Sequence, residues 1–337
     1  MPTTNPMISM RVKRIRRESK DVKTFVLEPQ CSELEYIAGQ FLTLSLPVSE
    51  EQPVMRTYSV STCPRADLDI AVTVKRTDGG VGSNWLYDRA ARGMVLKSFP
   101  PAGEFTLDPA PTGEVLLFAA GVGITPLFSL FKSALTTTGR RVRLHYSCRS
   151  SDDAPFLEVL RRWQRFHGAR VSLDVVLTDE RPRLTSPEVC GIAKNLTDPQ
   201  VYVCGPASYT AMVVEALVAS GVCPSAIRTE SFGPPPAPPG PVDKIVDAVG
   251  HVNIEGVDTQ IRWPTDTSLL DALEAAGVRA PHSCRQGECL SCECRVTSGR
   301  TSMIKNGVLD DDDVAEGYAL ACQLVPEDPE VSVVFGS

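Results

Sequence analysis

The hydrophobic positions fall into three regimes along the 337 residues. Through residue 110 they come in short alternating or β-branched stretches, at 41–46, 57–61 and 68–75, parted by Gly, Pro and Asp. A period of two predicts half-buried strands. Several short strands with turn signals between them predict a small antiparallel barrel. From 114 the pattern changes. Residues 114–120 are a continuous apolar run, as in a parallel strand covered on both faces. The spacing then predicts a helix over 127–136, a strand over 141–147, a helix over 155–166, strands over 171–177 and 200–204, and a helix over 209–220. Strand and helix in alternation predict a doubly wound α/β domain. The last regime predicts strands over 248–254 and 259–263, a helix over 268–276, a cysteine-rich loop and closing strands. Between the second and third regimes, residues 233–241 contain six prolines in nine positions, the composition of a semi-rigid extended linker. The expected organisation is a barrel domain over 1–110, an α/β domain over 111–232, the linker over 233–241 and a third domain over 242–337.

The third domain carries the strongest chemical signal. Cys284, Cys289 and Cys292 stand in C-x4-C-x2-C spacing, and Cys322 follows after 29 residues. This is the plant-type [2Fe–2S] spacing, in which each of two irons takes two thiolates. Three cysteines on one loop fold over the cluster, and the fourth is expected to arrive from a distant strand. Gly287 suits a loop that turns sharply and aims N–H groups at sulfur. Zinc is the competing reading, but it favours short paired spacings, which x4 followed by x2 does not supply. Cys294 shares a strand face with Cys292 and competes with it as a ligand; the x2 spacing favours Cys292. A plant-type cluster carries one electron at about −400 mV, so the rest of the chain must hold a source.

Candidate nucleotide sites lie in the first two domains. Arg56, Thr57, Tyr58 and Ser59 sit on one predicted strand. Arg56 can grip a phosphate bidentately, and Tyr58, two residues on, shares its face and can stack on a flat heterocycle. An Arg and a Tyr on a strand are more often an exposed face. The Gly-rich turn Gly79, Gly80, Val81, Gly82, Ser83 then runs into a predicted helix over 83–91, and free N–H groups at a helix start bind phosphate. Together the two segments suit a flavin nucleotide. In the α/β domain, Gly121 and Gly123 follow the buried strand and let backbone approach a pyrophosphate. Cys204, Gly205 and Pro206 close a later strand at the carboxyl edge, where ligands of such sheets sit.

Composition narrows the class. The apolar run near 115–128 is too short to span a bilayer. No apolar stretch precedes the basic run 11–17, so the cytoplasm is the expected compartment. Eleven cysteines, seven of them scattered outside the motif, fit reduced thiols better than a disulfide framework. Net charge is −7 but uneven: residues 242–337 hold 7 Lys and Arg against 17 Asp and Glu, a net of −10, and the remainder is +3. An acidic cluster domain suits docking to a basic protein partner; the plainer reading is solvation, with Asp310–Asp313 an exposed helix start. Nothing points to nucleic acid.

These motifs in this order resemble the ferredoxin-NADP reductase-like flavoproteins that carry a C-terminal plant-type ferredoxin domain, the reductases of multicomponent oxygenases. The resemblance covers nearly the whole chain. It implies a β-grasp fold for the third domain and FAD, rather than FMN, in the barrel. Arg56 and the Gly80, Gly82, Ser83 turn would hold the phosphates. Tyr58 would stack on the ring, Ser59 would bond near its reactive edge, and Thr57, Val74 and Lys75 would complete the flavin site. Gly121, Gly123 and Thr125 would bind the nicotinamide dinucleotide, with Cys204, Gly205 and Pro206 near the nicotinamide. Glu230 and Phe232 match the family's E-x-F ending, where the aromatic ring covers the flavin or nicotinamide. Arg149, after the second strand of the α/β domain, is placed to meet a 2′-phosphate, but Asp152 and Asp153 follow and repel one, so NADH is expected and NADPH is the alternative. The implied reaction passes hydride from the nicotinamide to the flavin and single electrons to the cluster, with no side chain assigned as acid or base. The implied partner is a terminal oxygenase, with a monomer favoured. Residues 72–85, 99–105 and 308–322 are most similar to reductases of 3-ketosteroid 9α-hydroxylases. Relatives serving phenylacetyl-CoA epoxidases, aromatic-ring or quaternary-amine oxygenases are alike. A P450 reductase, a self-contained diaphorase and a fused ferredoxin carrier are the rivals.

Overall fold

The computed structural model describes residues 7–31, 34–49, 53–109, 113–194, 196, 198–230, 232, 247–282 and 284–336; the expected linker, 233–241, lies outside them. Each regime of the sequence has its own core.

The first is a six-stranded antiparallel sheet of β1 (Ile8–Arg17), β2 (Val22–Pro29), β3 (Phe41–Leu46), β4 (Val54–Ser59), β5 (Ile70–Lys75) and β6 (Val95–Ser98), with one helix, α1 (Val81–Arg89). Its order is β4-β3-β6-β1-β2-β5. The two edge strands meet through a Val60–Val72 bridge and a Ser61 amide bond to the Ala71 carbonyl of 2.8 Å. The sheet therefore curls into a nearly closed barrel around Met10, Phe25, Leu44, Val72 and Leu86. The predicted strand over 57–61 starts three residues earlier, at Val54. The predicted start at Leu68 was too early: that side chain is fully exposed and the strand begins at Ile70.

The second unit is a five-stranded sheet, all parallel, in the order β11-β10-β7-β8-β9: β7 (Val115–Ala120), β8 (Val142–Cys148), β9 (Val171–Leu177), β10 (Gln200–Cys204) and β11 (Ile227–Glu230). Val115, Leu117 and Ala119 of β7 pack under α2 (Ile124–Thr137) and α3 (Leu157–His167). Leu116 and Phe118 face the opposite side, toward α4 (Ser186–Ala193) and α5 (Ala207–Ala219). Helices on both faces explain why β7 is apolar at every position. α2 begins at Ile124, three residues before the predicted start, because Pro126 sits in the first turn, where a missing N–H costs nothing. The same helix holds the barrel. Lys132, almost wholly buried, pairs with Asp67 and donates to the Ser61 carbonyl at 3.0 Å, and Ser129 donates to the Thr62 carbonyl.

The third unit is a mixed sheet in the order β13-β12-β18-β14-β16 around a fully buried Trp263: β12 (Asp247–Ile254), β13 (Val257–Pro264), β14 (Glu293–Ser298), β16 (Tyr318–Leu320) and β18 (Glu330–Phe335). A small pair, β15 (Thr301–Met303) with β17 (Leu324–Pro326), lies beside it, and α6 (Leu269–Ala275) is capped by the Ser268 hydroxyl. Positive φ at Glu255 and Gly256 gives the two-residue hairpin turn between β12 and β13. The acidic run forms a short helix, α7 (Asp311–Ala315), closed by an Asp310–Asp313 capping box.

Candidate functional site

The three units meet at one cavity of about 650 Å³, within the range of small-molecule sites. Arg56, Thr57, Tyr58 and Ser59, at the open end of β4, line one wall, with Val74 and Lys75 of β5. The Gly80, Gly82 and Ser83 turn lines another. No side chain caps α1, whose first-turn N–H groups stay available to an anion. The absence of a side chain at Gly82 is required: a Cβ there would lie 2.7 Å from Cγ of Arg56 and 3.0 Å from a Leu46 methyl. This is a cradle of backbone donors, a guanidinium and a ring, which fits a flavin and its phosphates. Burial drives the Tyr58 phenol well above its ordinary pKa, keeping it neutral.

The cavity opens toward the end of the parallel sheet where winding reverses, between β7 and β10, the usual ligand crevice of such folds. Gly121 has φ +56°, and Gly123 packs so closely that a Cβ would lie 2.2 Å from the Cys204 carbonyl oxygen. Val122 and Thr125 reach the cavity from this side. Cys204 does not. It is wholly buried, and burial pushes its thiol up. Gly205 is held by Ala120 and Tyr209, and Pro206 is exposed at the crevice rim. Arg149 lies outside the cavity, just past β8, with its carbonyl bonded by the Asp179 amide at 3.0 Å.

Glu230, the last residue of β11, accepts a hydrogen bond of 3.0 Å from the Ser59 hydroxyl across the domain boundary. Its carboxyl is pushed up to about 8, first by burial; the Ser59 bond works against this, and the Glu288 carboxylate adds to it. Phe232, half-exposed, lies on the cavity wall.

The third unit supplies the remaining wall, through Cys284 itself together with Arg285 and His282, and through Glu274 of α6. Arg285, Gly287 and Leu290 all have positive φ, so the loop is wound tightly. A Cβ on Gly287 would lie 2.8 Å from the Lys305 carbonyl oxygen. Two pairs of free thiols result, within hydrogen-bonding reach of each other: Cys284 with Cys289, and Cys292 with Cys322. N–H groups already face them, with Cys284 N to Cys289 Sγ and Gln286 N to Cys284 Sγ both at 3.3 Å. Two thiol pairs with N–H donors, all but Cys284 buried, suit a two-iron cluster. Cys322 sits in a turn between β16 and β17, a correction to the expected strand, since the chain must fold back there to bring the thiol to Cys292. Cys294 turns away, donating to the Ala319 carbonyl at 3.5 Å.

Sequence reasoning missed Thr73, Thr77, Glu274, His282 and Arg285 on the cavity wall. Thr77 had a local signal, its place beside the Gly-rich turn. The last three face the cavity only because two domains abut.

Three family models match the chain: an oxidoreductase FAD-binding domain over 9–107, an oxidoreductase NAD-binding domain over 117–215, and a 2Fe-2S iron-sulfur cluster binding domain over 252–327. The ferredoxin reductase component of 3-ketosteroid-9-alpha-monooxygenase from Rhodococcus rhodochrous is 34% identical over 347 residues, covering 99% of each chain. The chain belongs to the ferredoxin reductase-like flavoproteins with a C-terminal [2Fe–2S] domain. The stachydrine N-demethylase reductase subunit of Rhizobium meliloti is 32% identical, with 90% of each chain covered. Phthalate dioxygenase reductase shares the fold, with a TM-score of 0.65 at 24% identity over 99% of this chain and 100% of that one. A member of this family is an oxidoreductase whose cofactors are FAD, NADH and a [2Fe–2S] cluster. No helix among the described residues is long and apolar enough to cross a membrane.

Proposed function

We propose that the chain is the reductase component of a multicomponent oxygenase, carrying electrons from NADH through FAD and the [2Fe–2S] cluster to a Rieske-type terminal oxygenase that hydroxylates a 3-ketosteroid. The observation that carries the electron path is that Cys284 lines the same cavity as Tyr58 and Ser59: a ligand of the cluster borders the flavin site. When bound in these sites, FAD would supply the conversion of one hydride into two single-electron transfers, and the cluster would supply one-electron acceptance. The chain's residues bind and orient. Arg56 and the α1 N-terminus neutralise phosphate, Tyr58 supports the ring, and Ser59, fixed by Glu230, presents its hydroxyl at the ring's edge. Gly121, Gly123 and Thr125 admit the dinucleotide from the crevice. Cys284, Cys289, Cys292 and Cys322 hold the cluster.

The steroid assignment is supported by the similarity to the Rhodococcus reductase component along the full chain. The similarity to the N-demethylase reductase favours a quaternary-amine oxygenase as the second reading. Reconstitution separates them. Turnover with a ketosteroid oxygenase is expected, falling as salt rises, because the net −10 of residues 242–337 favours association with a basic patch. Turnover only with an amine oxygenase, a P450 or a di-iron oxygenase overturns the steroid reading and leaves the reductase reading intact.

Nicotinamide choice rests on the loop after β8. Asp153 pairs with Lys20 at 3.8 Å and accepts from Ser150, while Asp152 stays exposed beside Arg149. With one carboxylate paired to Lys20 and the other set against the Arg149 guanidinium, no net positive charge is left for a 2′-phosphate, and kcat/KM for NADPH is expected to be at least about tenfold below that for NADH, a difference of about 1.4 kcal/mol. Equal or better kcat/KM with NADPH in steady-state assays overturns this.

A further inference from the structure

Lys305 joins two domains. Its ammonium lies 3.0 Å from Glu104 of the barrel domain and 2.5 Å from Glu288, the residue before Cys289. Both ends of the link are held firmly. On the cluster side, the Lys305 carbonyl packs against Gly287, and the Gly307 amide bonds the Gly287 carbonyl at 3.0 Å. On the barrel side, Glu104 ends a segment pinned to β3 by Phe99 N to Thr43 O at 3.0 Å and Ala102 N to Phe41 O at 3.1 Å. Gly103, at φ +111°, lies against the Phe41 ring. Glu288 is buried and Glu104 mostly exposed. The Glu288 bond thus anchors the lysine to the cluster loop, and the Glu104 bond is the part that reaches across. Partial burial opposes the lysine's charge, but its bonds to the two carboxylates outweigh this and hold it protonated.

We infer that Lys305 is a positioning residue: an electrostatic latch that seats the cluster loop against the barrel so that Cys284 stays on the flavin cavity during electron transfer. The inference rests on the reading of that cavity and loop as flavin and cluster sites. Electron tunnelling falls steeply with distance, so a domain free to swing away spends time in geometries that do not transfer. An exposed ion pair shifts such an equilibrium by only a few-fold. That suits a latch that has to release if the cluster is to turn toward another protein.

The test uses the full-length holoprotein with Glu104→Gln, Glu104→Lys and Lys305→Arg. Stopped-flow absorbance follows cluster reduction after flavin reduction, and hydrogen exchange follows residues 99–104. Glu104→Gln is expected to slow cluster reduction roughly two- to five-fold and to raise exchange in that segment. Glu104→Lys should be slower still at low ionic strength and recover as salt rises, whereas Lys305→Arg should stay near wild type. NADH–ferricyanide activity and cluster absorbance stay intact in the Glu104 variants; their loss would instead indict the reading of the sites. An unchanged rate in Glu104→Lys, or a slower rate without any change in exchange, overturns the latch.

Discussion

Cys322→Ser is expected to abolish the cluster and leave the flavin in place. Its visible absorbance and electron paramagnetic resonance signal should disappear while FAD stays bound stoichiometrically. NADH–ferricyanide activity should stay within about twofold of wild type, whereas reduction of a one-electron protein acceptor falls by on the order of 100-fold or more, beyond the 10–100-fold typical of merely losing an outer-shell partner. The reason is local. Cys322 is buried in its turn, paired to Cys292 and approached by the Gln323 amide at 3.6 Å. A serine hydroxyl is a harder, far less acidic donor than a thiol and leaves one iron a ligand short. The damage should stop at the domain boundary. Cys322 belongs to the core around Trp263, whereas the flavin wall belongs to the core around Phe25 and Leu44. Release of FAD by the same substitution would show that the two cores are not independent.

Local pattern made the elements legible. The unbroken apolar run of β7 could only be a strand covered on both faces, and the C-x4-C-x2-C spacing could only be satisfied by a loop. The structure winds that loop through three left-handed residues. What stayed illegible has physical causes. The start of α2 was one such point, because the rule against proline applies inside helices and relaxes in the first turn, where Pro126 sits. α4 went unnoticed although Thr185 and Glu188 form a capping box, because only eight residues follow it and half their pattern is small or polar. The turn at Cys322 lies between two strands of three residues each, too short to show a period. Arg285 illustrates the deeper limit. Its neighbour Cys284 announced the cluster, and its pairing with Asp271 at 3.0 Å lies within the domain. Its place on the flavin cavity depends on how two separately folded units meet, and no stretch of sequence encodes that locally. The Ser59–Glu230 bond spans 171 positions and is of the same kind.

That bond sets the second large effect. Glu230→Gln is expected to stabilise the protein at pH 8 and to matter little at pH 5. The sign follows from the proton. In the fold the carboxyl titrates at about 8, against an ordinary 4.5. Between those limits the folded state keeps a proton that the unfolded chain has released, so stability falls as pH rises, by about 1.4 kcal/mol per pH unit. Below about pH 4.5 both states are protonated and nothing is lost; above about pH 8 both are ionised and the full penalty, on the order of 5 kcal/mol, is present. Glutamine keeps an oxygen to accept from the Ser59 hydroxyl and carries no charge to desolvate. The melting temperature of Glu230→Gln should therefore exceed that of wild type by a gap that widens between pH 5 and pH 8, reaching at least about 5 °C in a unit of this size. NADH–ferricyanide activity gives an independent reading. Wild type should show an inflection near pH 8, where Glu230 ionises and the bond orienting Ser59 changes character, and Glu230→Gln should lack it. Glu288 contributes to holding the carboxyl up, so Glu288→Gln should move the inflection to lower pH without removing it. A gap in melting temperature that is constant with pH would mean that Glu230 is already ionised in the folded protein, and would remove the basis for both expectations.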